Sequence, residues 1–120
     1  MELKGFIKKN LKKEWIKESM SLVGVLVIFV PKANRTRRVV VDYCLLNNIT
    51  IKDRYTLLLI NELQEFAIKF KYFTSFDLKD GYYYIHIKKG DKWKMAFRTR
   101  YKLHEFCVMP IELTNSLATF

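Results

Sequence analysis

Leu3, Phe6, Ile7 and Leu11 recur at helical spacing at the head of the chain, while Lys4, Lys8, Lys9, Lys12 and Lys13 fill the opposite face. That pattern predicts a leading amphipathic helix within residues 1–20. Residues 25–30 are β-branched and aromatic enough for a buried strand, and residues 37–43 read as a second one. Between them, Pro31-Lys-Ala-Asn-Arg-Thr36 supplies turn chemistry, so the pair predicts a hairpin with a basic tip. Asn61 is expected to cap a short helix running to Ile68. Strands are then expected over 71–77 and 82–87, a turn at Gly90-Asp91, and two more strands over 94–99 and 104–109 around residues 100–103. Thr114 opens a terminal helix. Mixed helices and strands in this order predict an α+β fold with an antiparallel sheet.

Composition narrows the function. A chain of 120 residues, half of them apolar, holds one domain at most with a modest core. The formal net charge of +10 is spread from end to end and favours a polyanionic partner, nucleic acid first, although charge alone also fits a merely soluble basic surface. The longest apolar run, residues 22–30, falls short of the roughly 20 residues a bilayer span needs. Early lysines alternate with apolar residues and no small-residue cleavage site follows, so the chain reads as intracellular, cytoplasmic or nuclear, without a membrane partner. Cys44 and Cys107 lack paired metal or redox spacing and read as reduced thiols.

The segment with the most chemistry is Phe73-Thr-Ser-Phe-Asp-Leu-Lys-Asp-Gly-Tyr-Tyr83, which sets the Asp77 carboxylate at the end of a short apolar run. It resembles the first catalytic motif of reverse transcriptases from gypsy-type LTR retrotransposons. Further blocks resemble that family in the same order: Asn10-Leu-Lys-Lys-Glu-Trp-Ile-Lys17, Val27-Ile-Phe-Val-Pro-Lys32, Arg38-Val-Val-Val-Asp-Tyr43 and Asn47-Asn-Ile-Thr-Ile-Lys-Asp-Arg-Tyr55. Asp91-Lys-Trp-Lys-Met-Ala-Phe-Arg-Thr-Arg-Tyr101, Val108-Met-Pro110, Leu113-Thr-Asn115 and Ala118-Thr-Phe120 complete the series. The resemblance implies one partial domain over 1–120, with fingers over 21–70 and, over 71–120, the first part of the palm and a return to the fingers.

It also implies a chemistry: an RNA-directed DNA polymerase adding deoxynucleotides to a primer by two-metal nucleotidyl transfer. Asp77 and the Leu78 carbonyl would be hard oxygen ligands for Mg²⁺ or Mn²⁺. Lys32 and Arg38 would grip the triphosphate, and the Tyr82 ring would exclude a 2′-hydroxyl. Asn115 would line the nucleotide side, while Asp42 and Phe120 would face template and primer. The implied partners are an RNA or DNA template-primer, deoxynucleoside triphosphates and the remainder of a polyprotein. Each residue also has a plainer reading: a local cap for Asp77, core rings for Tyr82 and Phe120, solvated charges for Lys32 and Arg38, a surface ion pair for Asp42, a helix cap for Asn115.

Departures from the family pattern carry expectations of their own. The chain ends at Phe120, before the Tyr-x-Asp-Asp strand that brings the other catalytic aspartates, so turnover by this polypeptide alone is not expected. Glu14 and Glu112 stand at usual Gly positions, Leu22, Leu26, Leu58 and Leu117 at usual Pro positions, Val23 and Val25 at usual Ala positions, and Cys44 at a usual Arg position. Each replacement fits a single transition of the kind cytosine deamination produces, which suggests a decayed copy. Besides the polymerase fragment, two alternatives follow: a noncatalytic basic nucleic-acid-binding module, and an inert relic.

Overall fold

The computed structural model describes residues 2–120. Helix α1 (Glu2–Lys12) buries Leu3, Ile7 and Asn10, and its lysines face solvent as the periodicity requires. The helix stops well short of residue 20. Trp15 N–H donates to the Asn10 carbonyl and Glu14 N–H to that of Leu11, while Glu14 takes the left-handed conformation at φ 57°. This is a Schellman ending, whose left-handed position ordinarily belongs to glycine. The turn redirects the chain into strand β1 (Ile16–Glu18).

Strands β2 (Val25–Pro31) and β3 (Arg37–Val41) form the expected hairpin, with Val30 opposite Arg38. Helices α2 (Cys44–Ile49) and α3 (Ile60–Ala67) follow, then strands β4 (Ala96–Arg98) and β5 (Leu103–Phe106) and the short helix α4 (Ser116–Thr119). One sheet of order β1-β5-β4-β2-β3 joins all five strands. It is mixed rather than antiparallel, because β2 and β4 run parallel with Val25 beside Phe97 and Leu26 beside Arg98. The connection from β3 to β4 is long enough for the crossover that a parallel pair demands. Against the sheet, Leu3 and Ile7 of α1 join Ile16, Val41, Tyr43, Phe97, Phe106 and Val108 in one core. The buried Tyr43 hydroxyl donates to the Met95 carbonyl at 2.9 Å, tying the end of β3 to the entry of β4.

Between the two halves of the sheet, residues 51–80 are exposed almost throughout. The strand expected over 71–77 does not form: those residues pair with no neighbour among the described residues, and a strand takes its stability from a partner ladder and packed faces. Helix α3 starts at Ile60, with Glu62 Oε2 accepting the Leu59 N–H at 3.3 Å, so Asn61 lies inside the first turn and is not the cap. The strand expected over 82–87 is a 3₁₀ turn over Gly81–Tyr84 followed by a single bridge, His86 to Val108. Asp80, left-handed at φ 58°, bends the chain into that turn and prevents an extended run.

Candidate nucleic-acid interface

Asp77 lies on the exposed stretch just before this bend, and Leu78 is 64% exposed beside it. Gly81 N–H donates to the Leu78 carbonyl at 3.2 Å, and Tyr83 N–H to the Asp80 carbonyl at 2.9 Å. Beyond the turn, Ile87 N–H reaches the Cys107 carbonyl and Met109 N–H the Ile85 carbonyl, which docks residues 85–87 on the chain leaving β5. The turn is held from the other side by Lys13, whose ammonium sits 3.8 Å over the Trp15 ring and 3.4 Å from Asp80 Oδ2. Tyr83 packs on Trp15 with ring centroids 4.3 Å apart, and Tyr82 meets Phe120 at 4.9 Å. Gly81 makes that second pairing possible, since a Cβ there would stand 3.0 Å from the Phe120 ring. Asp77, Leu78, Tyr82 and Phe120 are therefore gathered around one bend.

The basic hairpin tip is a second, separate feature. Asn34 Oδ1 accepts from the Thr36 N–H and hydroxyl, and Lys32 N–H donates to the Thr36 carbonyl at 2.7 Å. Arg35 is left-handed at φ 63° in this turn. Lys32, Arg35, Arg37 and Arg38 all stand exposed around it. Arg38 also lies in reach of Glu112, whose carboxyl is pushed up by burial, with its own backbone N–H and the Arg38 charge pulling the other way. Burial likewise raises the hydroxyls of Tyr43 and Tyr83, and the Glu112 charge adds to both.

Two candidate residues are engaged in local bonds. Asp42 Oδ1 accepts the Cys44 N–H at 3.0 Å, and the hydrogen bonds from Cys44 hold its carboxyl below the usual range. Asn115 commits its amide to the exposed arm, donating to the Ile51 carbonyl and accepting the Asp53 N–H at 3.0 Å. Sequence reading missed Asn47, which donates to the Glu112 carbonyl and accepts the Thr114 N–H at 2.9 Å, holding the loop that carries Glu112. Its asparagine was legible, but its partner 65 positions away was not.

A divalent ion would find hard oxygen donors at Asp77 and Leu78. Among the described residues, however, no three His, Cys, Asp or Glu side chains cluster, and the Leu78 carbonyl already accepts the Gly81 N–H. The donors of this chain by themselves do not fit a two-ion site.

No family model matches the chain. It is 39% identical over 114 residues to the Transposon Tf2-3 polyprotein of Schizosaccharomyces pombe, covering 95% of this chain and 9% of that protein. With the RNA-directed DNA polymerase homolog of Oenothera berteroana it shares 42% identity over 83 residues, 69% of this chain and 58% of the relative. The foamy viral protease-reverse transcriptase in complex with dsDNA superimposes with a TM-score of 0.79 at 22% identity, over 99% of this chain and 25% of that one. The chain has a reverse-transcriptase fold. The same viral protein in complex with an RNA/DNA hybrid gives a TM-score of 0.78 at 21% identity, over 98% of this chain and 16% of that one. The α+β expectation holds, and the relatives are retrotransposon polyproteins and an RNA-directed DNA polymerase homolog. This chain spans less than a tenth of the length of the Tf2 polyproteins and just over half of the Oenothera relative.

Proposed function

We propose that the chain is the fingers and first palm portion of an RNA-directed DNA polymerase from a gypsy-type LTR retrotransposon, acting as part of a longer polypeptide inside the cell. The observation that carries the reading is the 39% identity over 114 residues to a retrotransposon polyprotein, which runs through the Asp77 bend and the basic hairpin alike. In this reading the fingers extend over 21–70 and the palm begins at 71. Lys32 offers a point charge and Arg38 a planar fork to a triphosphate, both on the solvent-facing hairpin. Tyr82, braced by Phe120, presents a rigid ring that discriminates sugars by steric exclusion. Asp77 would contribute one carboxylate to a metal site whose other ligands would come from elsewhere in the longer protein, and a metal bound there would supply charge neutralisation and alignment. Template and primer lie against Asp42 and Phe120, and Asn115 acts by fixing residues 51–53 under the nucleotide side.

Alone, the chain is a poor catalyst in this reading. It offers one carboxylate where two-metal transfer needs several, and Glu112 sets an acid opposite Arg38, where it competes with phosphate. A second reading, a noncatalytic nucleic-acid-binding module, is favoured by the four exposed cations around the hairpin tip. Primer extension on a primed RNA template with Mg²⁺ and deoxynucleotides, beside Asp77→Ala and a salt-titrated binding assay, separates the two. No extension together with salt-sensitive binding is expected of the isolated chain. Extension that disappears in Asp77→Ala would show that a working metal site forms without further ligands, and absence of both activities would leave an inert relic.

A further inference from the structure

The outer face of α1 carries a row of like charges. Lys4, Lys8 and Lys12 follow one another at i,i+4, about 6 Å apart along the axis, and all three are exposed. None forms an ion pair among the described residues, where the paired lysines are Lys13, Lys17, Lys94 and Lys102. Like charges at this spacing destabilise a helix, and a polyanion lying along the row relieves the repulsion.

Beside the row, an open groove of about 520 Å³ runs between α1 and the β4–β5 turn. Lys4, Lys8 and Lys102 border it, with Ile7, Leu11 and Tyr101 supplying apolar surface. Among the described residues Glu18 is the one acid on this lining, and it is already paired with Lys102 at 2.6 Å. Tyr101 is 44% exposed and carries the Arg100 guanidinium 4.9 Å over its ring. Buried His104 also borders the groove, and its Nδ1 has no hydrogen-bond partner among the described residues. Arg100 lines a separate hollow of about 440 Å³ together with Arg37, Phe29, Leu3 and the acid Glu2.

We infer that this groove is a track for single-stranded nucleic acid, with phosphates on Lys4 and Lys8, unpaired among the described residues, and a base stacked on Tyr101. Cations interleaved with an aromatic ring are what an unpaired strand requires, since its bases present free π-faces. A duplex offers phosphates alone and leaves Tyr101 and the apolar floor without a partner. The track uses none of Asp77, Lys32 or Arg38, and so stands whether or not the polymerase reading does.

The test is fluorescence anisotropy of a labelled twelve-nucleotide oligo-dT, with a duplex of equal length beside it, titrated with the 120-residue chain across a salt series. Four proteins are compared: the unsubstituted chain, Lys4→Gln with Lys8→Gln, Tyr101→Ala, and Lys32→Gln with Arg38→Gln. All substituted side chains are exposed, and circular dichroism checks that each variant keeps its helix content. The paired α1 substitutions are expected to reduce the salt slope by about 1.4, at roughly 0.7 for each phosphate that is no longer neutralised. Tyr101→Ala is expected to weaken the strand about five-fold or more at fixed salt with the slope unchanged, and to leave duplex binding as it was. The hairpin pair is expected to preserve the Tyr101 effect. No binding by the unsubstituted chain overturns the proposal, as does oligo-dT binding that is insensitive to Tyr101→Ala or to the α1 pair. Loss of the Tyr101 effect in the hairpin variant would place the strand on the hairpin and overturn it too. The polymerase reading expects no primer extension from the isolated chain, so these binding outcomes bear on the groove alone.

Discussion

Glu14→Gly is expected to stabilise the chain, because the side chain at this position opposes its own backbone. Glu14 sits at φ 57° in the Schellman ending of α1, with Trp15 N–H on the Asn10 carbonyl fixing the conformation. An L-residue in the left-handed region costs about 1–2 kcal/mol. Glycine removes that strain but brings extra unfolded-state freedom worth about 0.4–1 kcal/mol. Removing a carboxylate from the negative end of the helix dipole adds about 0.3 kcal/mol at an exposed position. The net gain is about 1 kcal/mol. With an unfolding entropy of about 2.1 cal/mol/K per residue over 120 residues, this corresponds to a rise of about 4 °C in Tm. The assay is thermal and urea unfolding followed by circular dichroism, with Glu14→Ala as the control. Alanine removes the charge and keeps the strain, so only the dipole part, about 0.3 kcal/mol, should appear. A glycine variant no more stable than the alanine variant would refute the reasoning, since the left-handed backbone would then carry no measurable cost. The same result would weaken the view that Glu14 is a decayed glycine.

Tyr43→Phe leaves the buried Met95 carbonyl without its donor and should lower urea stability by about 1–2 kcal/mol, whereas an unchanged denaturation midpoint would show that water or relaxation replaces the bond. Asn115→Ala releases the Ile51 carbonyl and the Asp53 N–H, so limited proteolysis within residues 51–80 should accelerate while the sheet fragments persist; an unaltered cleavage rate would mean that Asn115 does not hold the arm. Burial raises the Glu112 carboxyl above its unfolded value, so its penalty is absent below the unfolded pKa and grows as pH rises through the folded one. Glu112→Gln should therefore gain stability relative to the parent at neutral pH and lose that advantage on acidification below about 4.5, and a pH-independent difference would argue against this linkage. Gly81→Ala should destabilise the parent by crowding the Phe120 ring and do so less in a Phe120→Ala background; equal costs in both would show that the ring is not the obstacle.

Much of this molecule is written in one-dimensional pattern. The 3.6-residue spacing of Leu3, Phe6, Ile7 and Leu11 specified α1, and the two β-branched runs around a Pro/Asn turn specified the β2–β3 hairpin, because each depends on residues a few positions apart. Ordered motifs carried the polymerase resemblance, whereas the bend at Asp80 was not anticipated and replaced an expected strand over 82–87. What required the tertiary structure is the long-range part. The parallel docking of β2 on β4, the Tyr82–Phe120 contact and the straps made by Asn47 and Asn115 join residues 38 or more positions apart, and no local periodicity encodes such partners. Residues 71–77 show the converse: their apolar pattern suits a strand, yet strand formation is a property of two chain segments, and among the described residues no second segment pairs with them. The groove beside α1 belongs to the same class. Its lysines were visible from the start, but only folding brings Tyr101 and Lys102 alongside Lys4 and Lys8, by packing the helix against a sheet whose β4–β5 turn arrives from the far end of the chain.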